Sequence, residues 1–209
     1  MAYFVVIVVA YLIGSISFSV LISKKIAGFD VRKKGSGNAG ATNVLRSVGK
    51  KAAILTLICD VLKGVLAVLL AYMIGNIFVD LNNSLLIQLA GLFVIIGHTY
   101  PIFFEFKGGK GIATALGVLL ITNWNIGLIC LVFALVIMAI TRIVSLGSIF
   151  AAILFPVLII FMPHINYLVD GNYVFYAFIL AIIVIFNHRG NIRRLIMGNE
   201  NKLYFEKMK

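Results

Sequence analysis

A chain of 209 residues that is 62% hydrophobic and only 12% charged, with mean hydropathy +1.11, is too apolar for an ordinary soluble domain, which carries roughly twice that charged share. Its formal net charge of +11 would suggest nucleic acid in a soluble protein. In a membrane protein it reads first as the positive-inside bias, so membrane lipids are the expected surroundings and nucleic acid is not an expected partner.

Seven apolar segments follow one another, approximately Ala2–Ser23, Ala52–Gly75, Ser84–Phe104, Ile112–Ile121, Ile126–Ile140, Leu146–Met162 and Tyr173–Phe186. Crossing about 30 Å of hydrocarbon takes roughly 20 helical residues. The fourth and fifth segments are therefore short, and the fourth reads as a half-span or irregular helix whose backbone neighbouring protein must satisfy. The first lacks a basic leader and is followed by further spans, so it is expected to be a span and not a cleaved signal. Within the second, Asp60 and Lys63 stand at i, i+3, a spacing at which mutual pairing explains two charges in an apolar segment. Cys59 and Cys130 lie in apolar stretches without disulfide or metal-ligand spacing; they read as packing residues, and no metal or other cofactor is expected.

Basic residues alternate with the segments. The loop Lys24–Lys51 carries Lys24, Lys25, Arg32, Lys33, Lys34, Arg46, Lys50 and Lys51; Lys107 and Lys110 follow two segments on, then Arg142, then the tail Arg189–Lys209. The intervening connections contain no Lys or Arg, and Asp80 and Asp170 are their only charges. The expected fold is an all-α polytopic integral membrane protein of one domain, residues 1–209. It has seven transmembrane helices, the N-terminus outside and the C-terminus in the cytoplasm, with short or irregular helices near the active site. Six spans would put the basic tail on the wrong side.

Polar chemistry gathers in four groups. Gly35-Ser36-Gly37-Asn38-Ala39-Gly40-Ala41-Thr42-Asn43, with Arg46 just beyond, combines glycines that let backbone N–H groups approach an anion, neutral donors, and a guanidinium fork. Read alone it is equally a flexible interfacial turn. Lys107-Gly108-Gly109-Lys110-Gly111, leading through Ile112 to Thr114, sets glycines and lysines at the mouth of a helix, where N–H groups and the positive helix end favour phosphate; nearby His98 reads as a hydrogen-bonded structural residue. Arg142 through Ser145 to Ser148 would by itself be helix packing. Asn187-His188-Arg189-Gly190-Asn191, followed by Arg193, Arg194, Gly198 and Glu200, puts His188 and Asn191 three apart among arginines, which suits an anion better than a metal.

Together the four groups, with Asp60-Val61-Leu62-Lys63-Gly64 and Gly97-His98-Thr99-Tyr100-Pro101, resemble the bacterial membrane acyl-phosphate:glycerol-3-phosphate acyltransferase family over nearly the whole chain. The resemblance implies transfer of a fatty acyl group from a long-chain acyl phosphate to glycerol 3-phosphate. The products are 1-acylglycerol 3-phosphate (lysophosphatidic acid) and inorganic phosphate, the first step of phospholipid synthesis at the cytoplasmic face of the inner membrane. Acyl phosphate carries its own leaving group, and the sequence holds no Gly-x-Ser-x-Gly elbow. Nor does Asp stand five residues after a histidine, because Phe103, Val169 and Arg193 occupy those places. The implied catalytic residues are Ser36, Arg46, Lys110, Ser145, His188 and Asn191. The implied phosphate or substrate contacts are Gly35, Gly37, Asn38, Gly40, Thr42, Asn43, Lys107, Gly108, Gly109, Gly111, Thr114, Arg142 and Arg189. Proton acceptance is open between His188 and a substrate phosphate. The soluble enzyme that makes acyl phosphate is a candidate contact. A small transporter of phosphate esters or anions is the rival reading, and it would call for inverted repeats and mid-membrane polar residues that the chain does not show.

Overall fold

The first apolar block breaks in its middle. The computed structural model, which describes residues 1–77, 82–162 and 171–203, has α1 over Ala2–Gly14 and α2 over Phe18–Ala27, with the helix interrupted between them. Asp80, His164 and Asp170 lie outside the described residues, as does the tail beyond Leu203. Among the described residues all regular structure is helical, and the chain divides into two units, Met1–Thr122 and Asn123–Lys209.

The first unit continues with α3 (Ala41–Ser47), the long α4 (Lys50–Ile77), α5 (Asn83–Thr99) and α6 (Ile112–Thr122). An interrupted span frees backbone carbonyls that lipid cannot satisfy. Here Lys63 of α4 resolves that cost: its Nζ donates to the carbonyls of Gly14 and Ile16, at 2.9 Å each. Its Nζ also lies 3.2 Å from Asp60, the pairing expected from their spacing, and His98 Nδ1 reaches within 3.6 Å of the same carboxylate oxygen. All three side chains are buried, so the charges are matched inside the helix cluster, away from hydrocarbon.

Glycines let these helices touch backbone to backbone, the usual source of contact where lipid supplies no hydrophobic drive. A Cβ on Gly14 would strike the Val94 carbonyl, and one on Gly97 the Tyr11 carbonyl, which locks α1 to α5. Gly64 and Gly117 do the same for α4 and α6, against the carbonyls of Thr114 and Val61. α6 is 11 residues long, about 17 Å at 1.5 Å per residue, and so is the short helix expected of the fourth segment.

The second unit comprises α7 (Trp124–Thr141), α8 (Val144–Phe161), α9 (Gly171–Asn187) and α10 (Arg189–Ile196). α7 runs to 18 residues, longer than its apolar stretch, because Asn123 caps its start by accepting from the Ile126 N–H and Arg142 ends it in a left-handed conformation. Gly147 packs on the Ala134 carbonyl where α7 meets α8. α9 and α10 meet at His188 with a 59° bend. By length and composition five helical segments can cross a membrane, or six if the bent pair is one span.

Candidate active site

The long first loop has its own core. Val20, Val31, Ala39, Val44, Ala52 and Ala53 are buried together, with Phe18, Leu45, Val48 and Phe104 packed against them. A small apolar cluster of this kind, each valine worth roughly 1.5–3 kcal/mol when fully buried, is not what a flexible interfacial turn would have. Above it Asn43 organises the glycine segment. Its Oδ1 accepts from the Ser36 N–H at 3.0 Å, and its Nδ2 donates to the carbonyls of Val31, Lys34 and Asn38 at 2.9–3.0 Å. Gly35 adopts φ +57° at a point where a Cβ would collide with the Asn43 amide, so both conformation and space demand glycine there. Gly37 is also left-handed at φ +73°. Gly40 starts α3, accepting from the N–H groups of Asn43 and Val44.

This changes part of the sequence reading. Asn43 was expected to donate to phosphate, but its amide is committed to the loop's own backbone. Ser36 is exposed, Asn38 and Thr42 are half-buried, and Arg46 is exposed in the last turn of α3.

The second loop folds back on α5. A 3-10 turn at Ile102–Phe104 is followed by Glu105 and Phe106, both left-handed (φ 58° and 56°). Gly108 N–H then donates to the Thr99 carbonyl and Gly109 N–H to the His98 carbonyl, at 3.1 and 3.0 Å. A Cβ on Gly108 would strike the His98 carbonyl and the Pro101 ring, and one on Gly109 the His98 imidazole and the Ala39 carbonyl. These two glycines are therefore needed for close packing, and their N–H groups are taken by carbonyls instead of awaiting a phosphate. The first turn of α6, just past Lys110 and the left-handed Gly111 (φ +87°), still presents N–H groups with no acceptor inside the helix. Thr114, expected as a phosphate contact, is fully buried, and its main-chain carbonyl lies against Gly64; it belongs to the seam between α4 and α6. Lys107 is exposed, 3.5 Å from the equally exposed Glu105 carboxylate, a solvated pair of little energetic weight.

The two glycine loops are joined. The Ala39 N–H donates to the Gly108 carbonyl at 3.4 Å. Arg32, to which the sequence reading gave only a topological role, bridges them through its side chain. Its Nε and Nη2 bind the Asp30 carboxylate, Nη2 at 2.8 Å, while Nη1 donates to the carbonyls of Phe104 at 2.6 Å and Lys107 at 3.4 Å. Arg32's hydrogen bonds hold the Asp30 carboxyl below its ordinary pKa, and Asp30 raises that of Arg32 in return.

In the second unit one carboxylate collects two of the expected residues, Ser145 and Asn191, together with Arg194. Glu200 Oε1 accepts from Ser145 Oγ at 3.0 Å and Asn191 Nδ2 at 2.6 Å, and Oε2 accepts from Arg194 Nε at 2.8 Å. The left-handed Gly198 (φ +69°) turns the chain back after α10 to bring Glu200 there. The cue in the sequence was a single carboxylate close behind Arg189, Arg193 and Arg194. His188, buried at the bend, donates from Nδ1 to the Val184 carbonyl at 2.7 Å, so in the neutral ring Nε2 is the basic nitrogen. Arg189 and Arg142 do different work from that expected. Arg189 is exposed, its guanidinium 4.5 Å from the Phe186 ring and bonded to the Phe186 carbonyl. Arg142 is exposed and ends α7, its carbonyl accepting from the Leu203 N–H.

Comparison with known proteins gives one consistent result. The model of the family described as glycerol-3-phosphate acyltransferase matches residues 4–198. A glycerol-3-phosphate acyltransferase of Clostridioides difficile is 44% identical over 202 residues, spanning 97% of this chain and 96% of its own. That of Shouchella clausii is 45% identical, with 92% of each chain covered. The crystal structure of PlsY (YgiH), an integral membrane glycerol 3-phosphate acyltransferase, in its glycerol 3-phosphate form, superposes with TM-score 0.85 at 38% identity, covering 99% of this chain and 98% of the other. The lysophosphatidic acid form of the same protein gives TM-score 0.82 at 37% identity, covering 100% and 98%.

Proposed function

This chain belongs to the glycerol-3-phosphate acyltransferase family, and from that premise we propose that its acyl donor is a long-chain acyl phosphate and that the site residues named above serve the transfer. A glycerol hydroxyl attacks the acyl carbonyl carbon, the anhydride C–O bond breaks, inorganic phosphate leaves, and the hydroxyl proton passes to a base. Such a donor needs no acyl-enzyme, in keeping with a chain that has no nucleophile elbow. Catalysis then rests on positioning and charge stabilisation.

The observation that carries this reading is the joining of the two glycine loops through Arg32 and the Ala39–Gly108 bond. It fixes the first glycine loop, which leads into α3 and Arg46, and the loop bearing Lys110 with respect to each other, as a substrate pair carrying two phosphate groups requires. Lys110, at the N-terminal end of α6, and Arg46 neutralise phosphate, and Ser36 contributes a neutral contact. In the second unit the Ser145 hydroxyl hydrogen is committed to Glu200, so its oxygen serves as an acceptor that orients the glycerol hydroxyl. His188, with Nδ1–H held by Val184, takes the proton at Nε2.

The same reading places the protein in the inner membrane as one functional domain with seven spans, α6 being the short fourth. The N-terminus lies outside, and the basic loops with the active site lie on the cytoplasmic face. Purified protein in liposomes separates this from transport. The enzyme reading expects lysophosphatidate to form from palmitoyl phosphate and labelled glycerol 3-phosphate, with no facilitated entry of label; label entering the lumen unacylated would favour a transporter.

A further inference from the structure

We infer that Arg32 is a positioning residue that sets Lys110 for the substrate phosphate, acting through the turn at Phe104–Gly108. The inference rests on the reading of Lys110 as a phosphate ligand given above. Nε, Nη1 and Nη2 of Arg32 are all engaged, on the Asp30 carboxylate and on two main-chain carbonyls. Its charge is matched at 2.8 Å by a carboxylate that is itself 9% exposed, which makes the guanidinium a bracket and not a substrate ligand.

What it brackets is a turn that does not hold its shape by local preference. Phe104 and Lys107, whose carbonyls it holds, flank Glu105 and Phe106, two consecutive non-glycine residues in the left-handed region. Side chains rarely adopt that conformation, because Cβ crowds the carbonyl oxygen. Glu105 and Phe106 are both exposed, so burial does not keep them there. Besides Arg32, the turn is closed by its own bonds from Phe104 and Phe106 N–H to Pro101 and from Lys107 N–H to Phe104. Only Gly108 and Gly109 then separate it from Lys110.

The other end of the bracket is equally fixed. Val31, next to Arg32 in the 3-10 turn capped by Asp30, gives its carbonyl to Asn43 Nδ2, the group that shapes the first glycine loop. Arg32 thus transmits the placement set by Asn43 to the loop that carries Lys110. Lysine could not do this, because one ammonium cannot span Asp30 and Phe104 O with the geometry of a guanidinium fork.

The test is a double-mutant cycle in purified, folded enzyme, with thermal melting as the check on folding and kcat/KM for both substrates as the readout. R32A and R32K are each expected to lose about tenfold to a hundredfold in kcat/KM, the scale set by charge-assisted hydrogen bonds. In a K110A background R32A should cost little further, because the two residues act through one contact. Where R32A does not accumulate as folded protein, R32K and R32K/K110A carry the same cycle. A loss from R32A or R32K that is undiminished in the K110A background, or wild-type kinetics for folded R32K, would overturn the inference while leaving Lys110 as a ligand. Wild-type kinetics for K110A alone would overturn the phosphate reading and this inference with it.

Discussion

Removing the carboxylate of Glu200 should disrupt the polar cluster of the second unit more than removing any of its partners singly. Three donors converge on it, Ser145 and Asn191 at one oxygen and Arg194 at the other, and its side chain is 5% exposed. In E200A these donors lose a buried charged acceptor, at roughly 1–3 kcal/mol for each buried group left unpaired. Arg194 is 40% exposed and recovers water, so most of that cost falls on Ser145 and Asn191. E200Q keeps the shape but offers one acceptor oxygen where the site uses two, so whichever way the amide turns at least one donor faces an NH2 group, at roughly 1.5–3 kcal/mol. Thermal melting in detergent and kcat at saturating substrates would be measured for wild type, E200Q and E200A. The expected order of both melting temperature and turnover is wild type above E200Q above E200A. E200A protein that melts and turns over as wild type would show that the carboxylate organises nothing.

Lys110→Ala should lower kcat/KM by about tenfold to a hundredfold, through loss of a charge-assisted contact worth roughly 1.5–3 kcal/mol. Lys25→Ala, on an exposed lysine in the last turn of α2, should change little; equal rates for the two variants would reduce the glycine–lysine loop to a turn. His188→Gln should cost about 10²- to 10⁴-fold in kcat. If the variant turns over at near the wild-type rate, a substrate phosphate takes the proton instead. For topology, in a background lacking Cys59 and Cys130, a cysteine at Asn82 should react with an impermeant maleimide from outside intact cells and one at Lys50 should not. Outside labelling at Lys50 would break the orientation derived from charge.

Where the sequence was informative, the reason was solvent. Hydrocarbon demands unbroken apolar blocks, so the helical segments stood out, including the short α6 and the Asp60–Lys63 pair inside α4. The interruption between α1 and α2 did not stand out. Ser15–Ser17 fall within a continuous apolar run, and the group that makes the break tolerable, Lys63 on the Gly14 and Ile16 carbonyls, is a whole helix away. The glycines of the motifs were read as openings for an anion. Gly35, Gly108 and Gly109 instead make room for Asn43, the Pro101 ring and the His98 imidazole, and a glycine's spacing does not say which neighbour fills the missing Cβ. Ser145 stood in one polar group of the sequence and His188 and Asn191 in another; Glu200, which receives Ser145 and Asn191, and Arg32, which joins the loops, act through folding back of the chain. Only the tertiary structure shows that.

Donor specificity tests the central claim most directly. Purified protein would be given labelled glycerol 3-phosphate with either palmitoyl phosphate or palmitoyl-CoA, and lysophosphatidate and inorganic phosphate would be counted together. The account predicts one phosphate released per lysophosphatidate from palmitoyl phosphate, and no product above background from the thioester. Comparable turnover with palmitoyl-CoA, or product formed from palmitoyl phosphate without matching phosphate release, would contradict it.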